Sequence, residues 1–153
     1  MKIRPLTIAD LDMICALEEV SQPYPWTREN IAEELTEKTH HIFSYVGLKD
    51  NGTPQTYVIG RQVVDELWIL QVGTDPSYRR QGLSKKLLAF VLAQAAEQNL
   101  LQAVLEVRAR NQAAIGLYEH LLFTQDGYRP QYYPPLEEGG PKEDALLMSR
   151  SLR

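Results

Sequence analysis

The chain has 153 residues, 44% of them apolar, a formal net charge of −4 and an isoelectric point near 5.4. That length supports one core and is short for two, so a single domain over residues 1–153 is expected. The acidic balance gives no broad attraction to nucleic acid or to an anionic membrane surface, so any phosphate site must be local.

The opening MKIRPLTIADLDM lacks the apolar centre of a signal peptide, and no apolar run is long enough to cross a bilayer. A cytoplasmic protein without membrane attachment is expected. A short strand is predicted at Lys2 to Arg4. Thr7 then caps a helix with Ile8, Leu11, Ile14, Cys15 and Leu17 on its buried face. Cys15 is the only cysteine, which rules out an intrachain disulfide, and it reads as a core thiol. After the break SQPYPW, Thr27 caps a second helix through RENIAEELTEK.

From His41 the segments HIFSYVGL, TYVIGRQVV and ELWILQV are rich in β-branched and aromatic residues and read as three antiparallel strands, with Asn51-Gly52 at a hairpin turn. Leu83, Leu87, Leu88, Val91, Leu92 and Ala95 mark one face of a long helix. There follow the strand AVLEVRA, a helix from Gln112 to Leu121, and strands near Phe123–Tyr128 and Ala145–Arg150, separated by the loop PPLEEGGPKED. The pattern predicts an α/β (α+β) fold: a mixed, mostly antiparallel sheet of about seven strands with about four helices on its faces.

Between the third of those strands and the long helix lies YRRQGLSKKLL, Tyr78 to Leu88. A helix N-terminus presents unpartnered N–H groups and partial positive charge, so this join is a candidate anion seat. Gly82 permits a tight turn and close approach, and Arg79, Arg80, Lys85 and Lys86 add charge, although solvated basic residues at a helix start give the same pattern. Neither G-x-x-x-x-G-K-[ST] nor G-x-G-x-x-G is present, so nucleotide hydrolysis and dinucleotide redox chemistry lack their loops.

Other residues admit two readings. By alternation Glu106 shares a face with Val104 and Arg108, as an exposed group, a partner of Arg108 or a cleft residue. Tyr118 falls in the apolar set Ala114, Leu117 and Leu121, as a core ring with its hydroxyl at the edge. Asn111 suits the N-cap of that helix, and Gly73 suits a bulge. Trp26, Tyr132 and Tyr133 cluster with prolines, which favours loops that pack on the domain or line a groove. Glu29, Glu33 and Glu34 form a solvated face or attract a basic tail. His40 and His41 lack companions at ligand spacing, so no metal is expected.

The stretch LWILQVGTDPSY followed by RRQGLSKKLL resembles the acetyl-coenzyme A motif of the GNAT acetyltransferase superfamily, R/Q-x-x-G-x-G/A at a strand–helix join. Arg79, Gly82 and Ser84 stand at its marked positions. YPWT, LEVRARNQAAIGLYE and YRPQYYPPLEEGGPKEDALLM are similar to the ribosomal-protein-alanine N-acetyltransferase branch. Ser84 departs from the pattern's Gly or Ala with a hydroxyl suited to a phosphate, and Leu122 replaces the family's usual glycine at a helix–strand turn.

The resemblance implies acetyl-coenzyme A as co-substrate and no metal. Its arm and thioester would lie on a bulged strand at Val72, Gly73 and Thr74, with the diphosphate at Arg79, Arg80, Gln81, Gly82, Leu83, Ser84 and Lys85, and Asn111 as a further contact. It makes Glu106 the general base and Tyr118 the general acid, with Trp26, Tyr132 and Tyr133 around the acceptor. The implied enzyme is a monomer or weak dimer that acetylates the amino-terminal alanine of a small-subunit ribosomal protein by direct attack in a ternary complex. An α-amine titrates at about 7.7–8.0 and a lysine at about 10.4, so a modest base suits the former. Small amines or lysine side chains as acceptors, and a non-catalytic acyl-coenzyme A-binding regulatory module, are the alternatives.

Overall fold

The structure is a computed structural model that describes residues 1–36 and 42–153, so His40 and His41 lie outside the described residues. In chain order the elements are β1 (Lys2–Pro5), a 3-10 turn (Ile8–Asp10), α1 (Leu11–Ser21), α2 (Arg28–Thr36), β2 (Tyr45–Leu48), β3 (Pro54–Val63) and β4 (Glu66–Thr74). After a second 3-10 turn (Pro76–Tyr78) come α3 (Leu83–Glu97), β5 (Gln102–Arg108), α4 (Gln112–His120), β6 (Thr124–Tyr133) and β7 (Glu143–Ser151). Among the described residues one seven-stranded sheet runs β1-β2-β3-β4-β5-β7-β6, and in it only β4 and β5 pair in parallel. This is the mixed, mostly antiparallel architecture expected from the sequence.

The two faces of the sheet carry separate cores. On one, the α3 residues Leu87, Leu88 and Val91 pack with Val58, Leu67, Leu105 and Tyr118. On the other, Ile14 and Leu17 of α1 and Ile31 and Leu35 of α2 pack with Val46, Tyr57 and Ile59. Each fully buried aliphatic side chain contributes about 1.5–3 kcal/mol. All six apolar positions assigned to α3 are buried. In β5, Ala103, Leu105 and Val107 are buried and alternate with partly exposed Val104, Glu106 and Arg108, so Glu106 projects from the α1/α2 face.

Local chemistry shifts several boundaries. Thr7 caps the 3-10 turn: its hydroxyl accepts from Ala9, and Asp10 accepts from the Thr7 N–H at 2.9 Å. Arg4 donates to both Asp10 oxygens at 2.9 Å, and those hydrogen bonds hold the Asp10 carboxyl below its ordinary range. The tighter turn leaves Ile8 exposed, so the buried face of α1 is Ile14, Leu17 and Glu18, with Leu11 and Cys15 half-buried.

Strand β6 extends to Tyr133, past the expected end at Tyr128. It lies at the sheet edge, where Pro130 removes no needed ladder bond. Its register jumps from Arg129↔Ala145 to Tyr133↔Glu143, and the Gln131 N–H bonds instead to the Asp144 carboxylate at 2.9 Å. Tyr132 and Tyr133 therefore end an irregular edge strand and do not sit in a loop.

Leu122 lies just past α4 with φ of 70°, and the Phe123 N–H reaches back to the Tyr118 carbonyl at 3.0 Å. That left-handed closure favours glycine, and the leucine side chain is largely exposed. Relief of the backbone penalty outweighs glycine's extra unfolded-state entropy, so Leu122→Gly should stabilise the chain by about 0.5–1 kcal/mol. Thermal unfolding would show this as a Tm rise of about 1–4 °C.

Candidate active site

Parallel pairing of β4 and β5 runs only from Glu66↔Gln102 to Ile69↔Leu105. Beyond it, β4 stays with β3 while β5 stays with β7, and the sheet opens. The cause lies in β4: Ile59 pairs with Gln71 and Gly60 with Ile69, leaving Leu70 as an extra residue that bends the strand. The expected bulge thus sits at Leu70 and not at Gly73. Gly73 keeps register opposite Tyr57, where an added Cβ would lie 2.5 Å from the tyrosine ring, so it is needed for close approach.

The opening forms two adjoining clefts. One, of about 970 Å³, is bordered by the start of α3, by Gln22, by Val72 to Thr74 and by Tyr118. The other, of about 550 Å³, is bordered by Trp68, Asp126, Arg129 and Tyr132. Trp26, Gln71, Glu106 and Tyr133 line both.

At the larger cleft Gly82 caps α3 with φ of 72°, and Arg80 precedes it with φ of 65°. No side chain caps this helix, and Gly82, Leu83, Ser84 and Lys85 border the cleft, so its uncapped first turn lies on that space. Arg80 and Lys85 border that space and are exposed, which fits a polyanionic group. Arg79 also borders the space, and its guanidinium donates to the Thr74 and Ser21 carbonyls at 3.2 and 3.0 Å, tying the end of α1 to the loop. Gln81 is exposed and does not border the cleft.

Ser84 borders the cleft and also has protein partners. Its hydroxyl bonds Thr74 and lies 3.2 Å from the Thr56 hydroxyl, while Thr56 donates to the Gly73 carbonyl at 2.8 Å. The hydroxyl therefore pins α3 to the sheet. Val72 likewise has its carbonyl engaged, by Gln22 Nε2 at 2.8 Å.

Glu106 pairs with Arg129 at 3.4 Å. The pairing with Arg108 admitted by the sequence does not form: Glu106 reaches across β7 to Arg129 of β6, and Arg108 turns to Glu143 of β7. Arg108 lies 3.4 Å from Glu143, donates to the Pro134 carbonyl at 2.9 Å, and stacks on Tyr24 and Tyr133 at 5.1 and 4.6 Å. Arg129 similarly stacks on Tyr132 at 5.3 Å.

Tyr118 is buried, edge-on to Phe123 at 5.9 Å, and burial, with Tyr133 nearby, drives its phenol well above the ordinary tyrosine range. Burial first and Glu106 second push the Tyr133 phenol up to about 12. Both hydroxyls thus stay protonated at neutral pH. Asn111 caps α4 by accepting from the Ala114 N–H at 3.2 Å and borders the larger cleft.

The structure also brings in residues the sequence did not single out. Tyr24, Gln22 and Arg129 border the clefts, and Glu18 lies fully buried beneath them. Glu18 stands four residues after Ile14 and next to Leu17, on the apolar stripe of α1, and that spacing was the available signal. Glu29 and Glu33 are exposed, whereas Glu34 pairs with Arg61 at 3.6 Å. Among the described residues no three His, Cys, Asp or Glu side chains group to hold a metal, and no helix is long and apolar enough to cross a membrane.

Comparison with known proteins agrees with this geometry. The model of the acetyltransferase (GNAT) family matches residues 9–123. The ribosomal protein bS18-alanine N-acetyltransferase of Escherichia coli K12 is 32% identical over 147 residues, covering 96% of this chain and 95% of that protein. The crystal structure of the ribosomal-protein-S18-alanine N-acetyltransferase from Escherichia coli superposes with a TM-score of 0.90 at 30% identity, covering 99% of this chain and 93% of that one. Ard1 from Thermoplasma volcanium superposes with a TM-score of 0.84 at 25% identity, covering 98% and 96%.

Proposed function

The chain belongs to the acetyltransferase (GNAT) family, and from that premise we propose that it acetylates a protein α-amine, the amino-terminal alanine of a small-subunit ribosomal protein of the S18 kind, in the cytoplasm. The observation that carries the reading is the position of Glu106, which borders both clefts where β4 and β5 part.

Bound acetyl-coenzyme A would supply an activated acetyl group with a thiol leaving group. The uncapped turn at Gly82, with Arg80 and Lys85, would hold its diphosphate, and the β4 edge from Val72 to Thr74 would hold its arm. Arg79 and Ser84 shape this seat through the sheet and need not touch the phosphates. On the acceptor side Trp26, Tyr132 and Tyr133 would bracket the first residues of a peptide.

Glu106 takes the proton that the α-amine loses as it attacks, directly or through one water. Arg129, 3.4 Å away, orients the carboxylate for that work. Tyr118 donates to the sulfur as negative charge builds there; the burial that holds its phenol protonated also raises the proton affinity of a thiolate in the same place. No acyl-enzyme is required.

The reading is tested with acetyl-coenzyme A and three acceptors: alanine-terminated peptides, the same peptides blocked at the α-amine, and free polyamines. Thiol release with the unblocked peptide alone is the expected result, with mass spectrometry placing the acetyl on the α-nitrogen. Turnover confined to polyamines would overturn the acceptor assignment, and binding of coenzyme A without any turnover would overturn the enzymatic one.

A further inference from the structure

Beneath the junction of the two clefts lies a carboxylate that the mechanism above does not use. Glu18 is 0% exposed. Its partners are neutral donors from three segments of the chain: the Tyr57 hydroxyl of β3 to Oε1, Gln71 Nε2 of β4 to Oε2 at 2.7 Å, and the Trp26 backbone N–H to Oε2 at 2.8 Å. Removing a carboxylate from water costs several kcal/mol, and the surrounding core of Ile14, Leu17 and Ile31 would be filled as well by leucine or methionine. A charge with this set of partners is an acceptor hub for groups that must be held.

Two of those groups stand at the chemistry. Trp26 and Gln71 each border both clefts, and Gln71 follows the bulged Leu70 at the point where β4 leaves β5. The third branch runs further: the Tyr57 oxygen accepts from Gln22 Nε2 at 3.0 Å, and the same amide donates to the Val72 carbonyl at 2.8 Å. Burial, with Glu18 beside it, keeps the Tyr57 phenol protonated, so its one proton is committed to Glu18 and its oxygen to Gln22. The segment from Gln22 to Trp26 contains two prolines and has no helix or strand of its own, so side-chain anchors fix its course.

We infer that Glu18 is a positioning residue that fixes Trp26 and Gln71 at the junction of the clefts and thereby sets the affinity for the acceptor peptide. The kinetic part of this inference rests on the function proposed above; the structural part does not.

The first test needs no substitution. In the intact protein the Trp26 amide should exchange with solvent at least about 100-fold more slowly than an unprotected peptide, a protection of about 2.7 kcal/mol. Exchange at the free-peptide rate would overturn the proposal. In a Trp68→Phe background Trp26 is the only tryptophan, and adding Glu18→Gln should raise acrylamide quenching of its fluorescence at least twofold, since an amide turns a donor group toward the other donors.

In kinetics Glu18→Gln should raise the peptide KM about tenfold and leave the acetyl-coenzyme A KM within twofold, because the seat at Gly82 is untouched. Unchanged peptide kinetics, or equal losses for both substrates, would overturn it. If that variant does not fold, Tyr57→Phe removes one donor to Glu18, leaves Gln22 its bond to the Val72 carbonyl, and should raise the peptide KM at least threefold with the same split. Should the native protein acetylate no peptide at all, the function proposed above fails, while amide exchange and quenching still decide whether Glu18 holds Trp26.

Discussion

Glu106→Gln should lower kcat/KM for an alanine-terminated peptide by about 10²- to 10³-fold near pH 6.5, and by much less near pH 9. The sign follows from the acceptor. Below an α-amine pKa of about 7.7–8.0 the nucleophile is mostly an ammonium, and a base must remove a proton to form it. Above that range the amine is already neutral and glutamine costs only the proton lost during attack. The loss at low pH corresponds to about 2.7–4.1 kcal/mol of transition-state stabilisation. Acetyl-coenzyme A affinity should stay within about twofold, since Glu106 and the uncapped turn at Gly82 belong to different parts of the cleft. A pH–rate profile identical to that of the native protein would remove Glu106 from its role.

Tyr118→Phe should lower kcat by about 10²-fold while the acetyl-coenzyme A KM changes little. The ring stays against Phe123 and only the hydroxyl is lost. Because burial raises the Tyr118 phenol, its proton is present across the working range, and activity should not fall between about pH 7 and 10 through its ionisation. The same shift predicts that the rate deficit of Tyr118→Phe is flat over that range. A deficit that vanishes toward high pH, or a wild-type kcat, would assign proton delivery to another group, with Tyr133 the nearest candidate.

The legible parts of this protein were those where one residue type answers one local demand. The apolar stripe of α3, the glycine at its start and the alternation in β5 each follow from backbone periodicity or dihedral need, and each stands as read. The less legible parts depend on tertiary partners. Gly73 was read as a bulge because glycine suits bulges, yet it answers to the Tyr57 ring across the strand, and the extra residue is Leu70, whose side chain carries no turn signal.

Ser84 and Arg79 offer a hydroxyl and a cation to an anion and border the larger cleft, while the fold also links Ser84 to Thr74 and Thr56 and Arg79 to the Thr74 and Ser21 carbonyls. Glu18 was the residue the sequence hid best. Its place on the apolar stripe beside Leu17 is the one local hint of burial, and the placement of α1 over Tyr57 and Gln71 makes it a buried acceptor. Tyr132 and Tyr133 border a cleft from an edge strand and not from the loop that their prolines suggest, since an edge strand tolerates proline where an inner strand does not.

That edge has one more effect. Between Arg129 and Tyr133 the outermost strand offers a proline without an amide proton, a residue in the left-handed region and an offset ladder, so it makes a poor template for another extended chain. Aggregation through this rim is thereby discouraged.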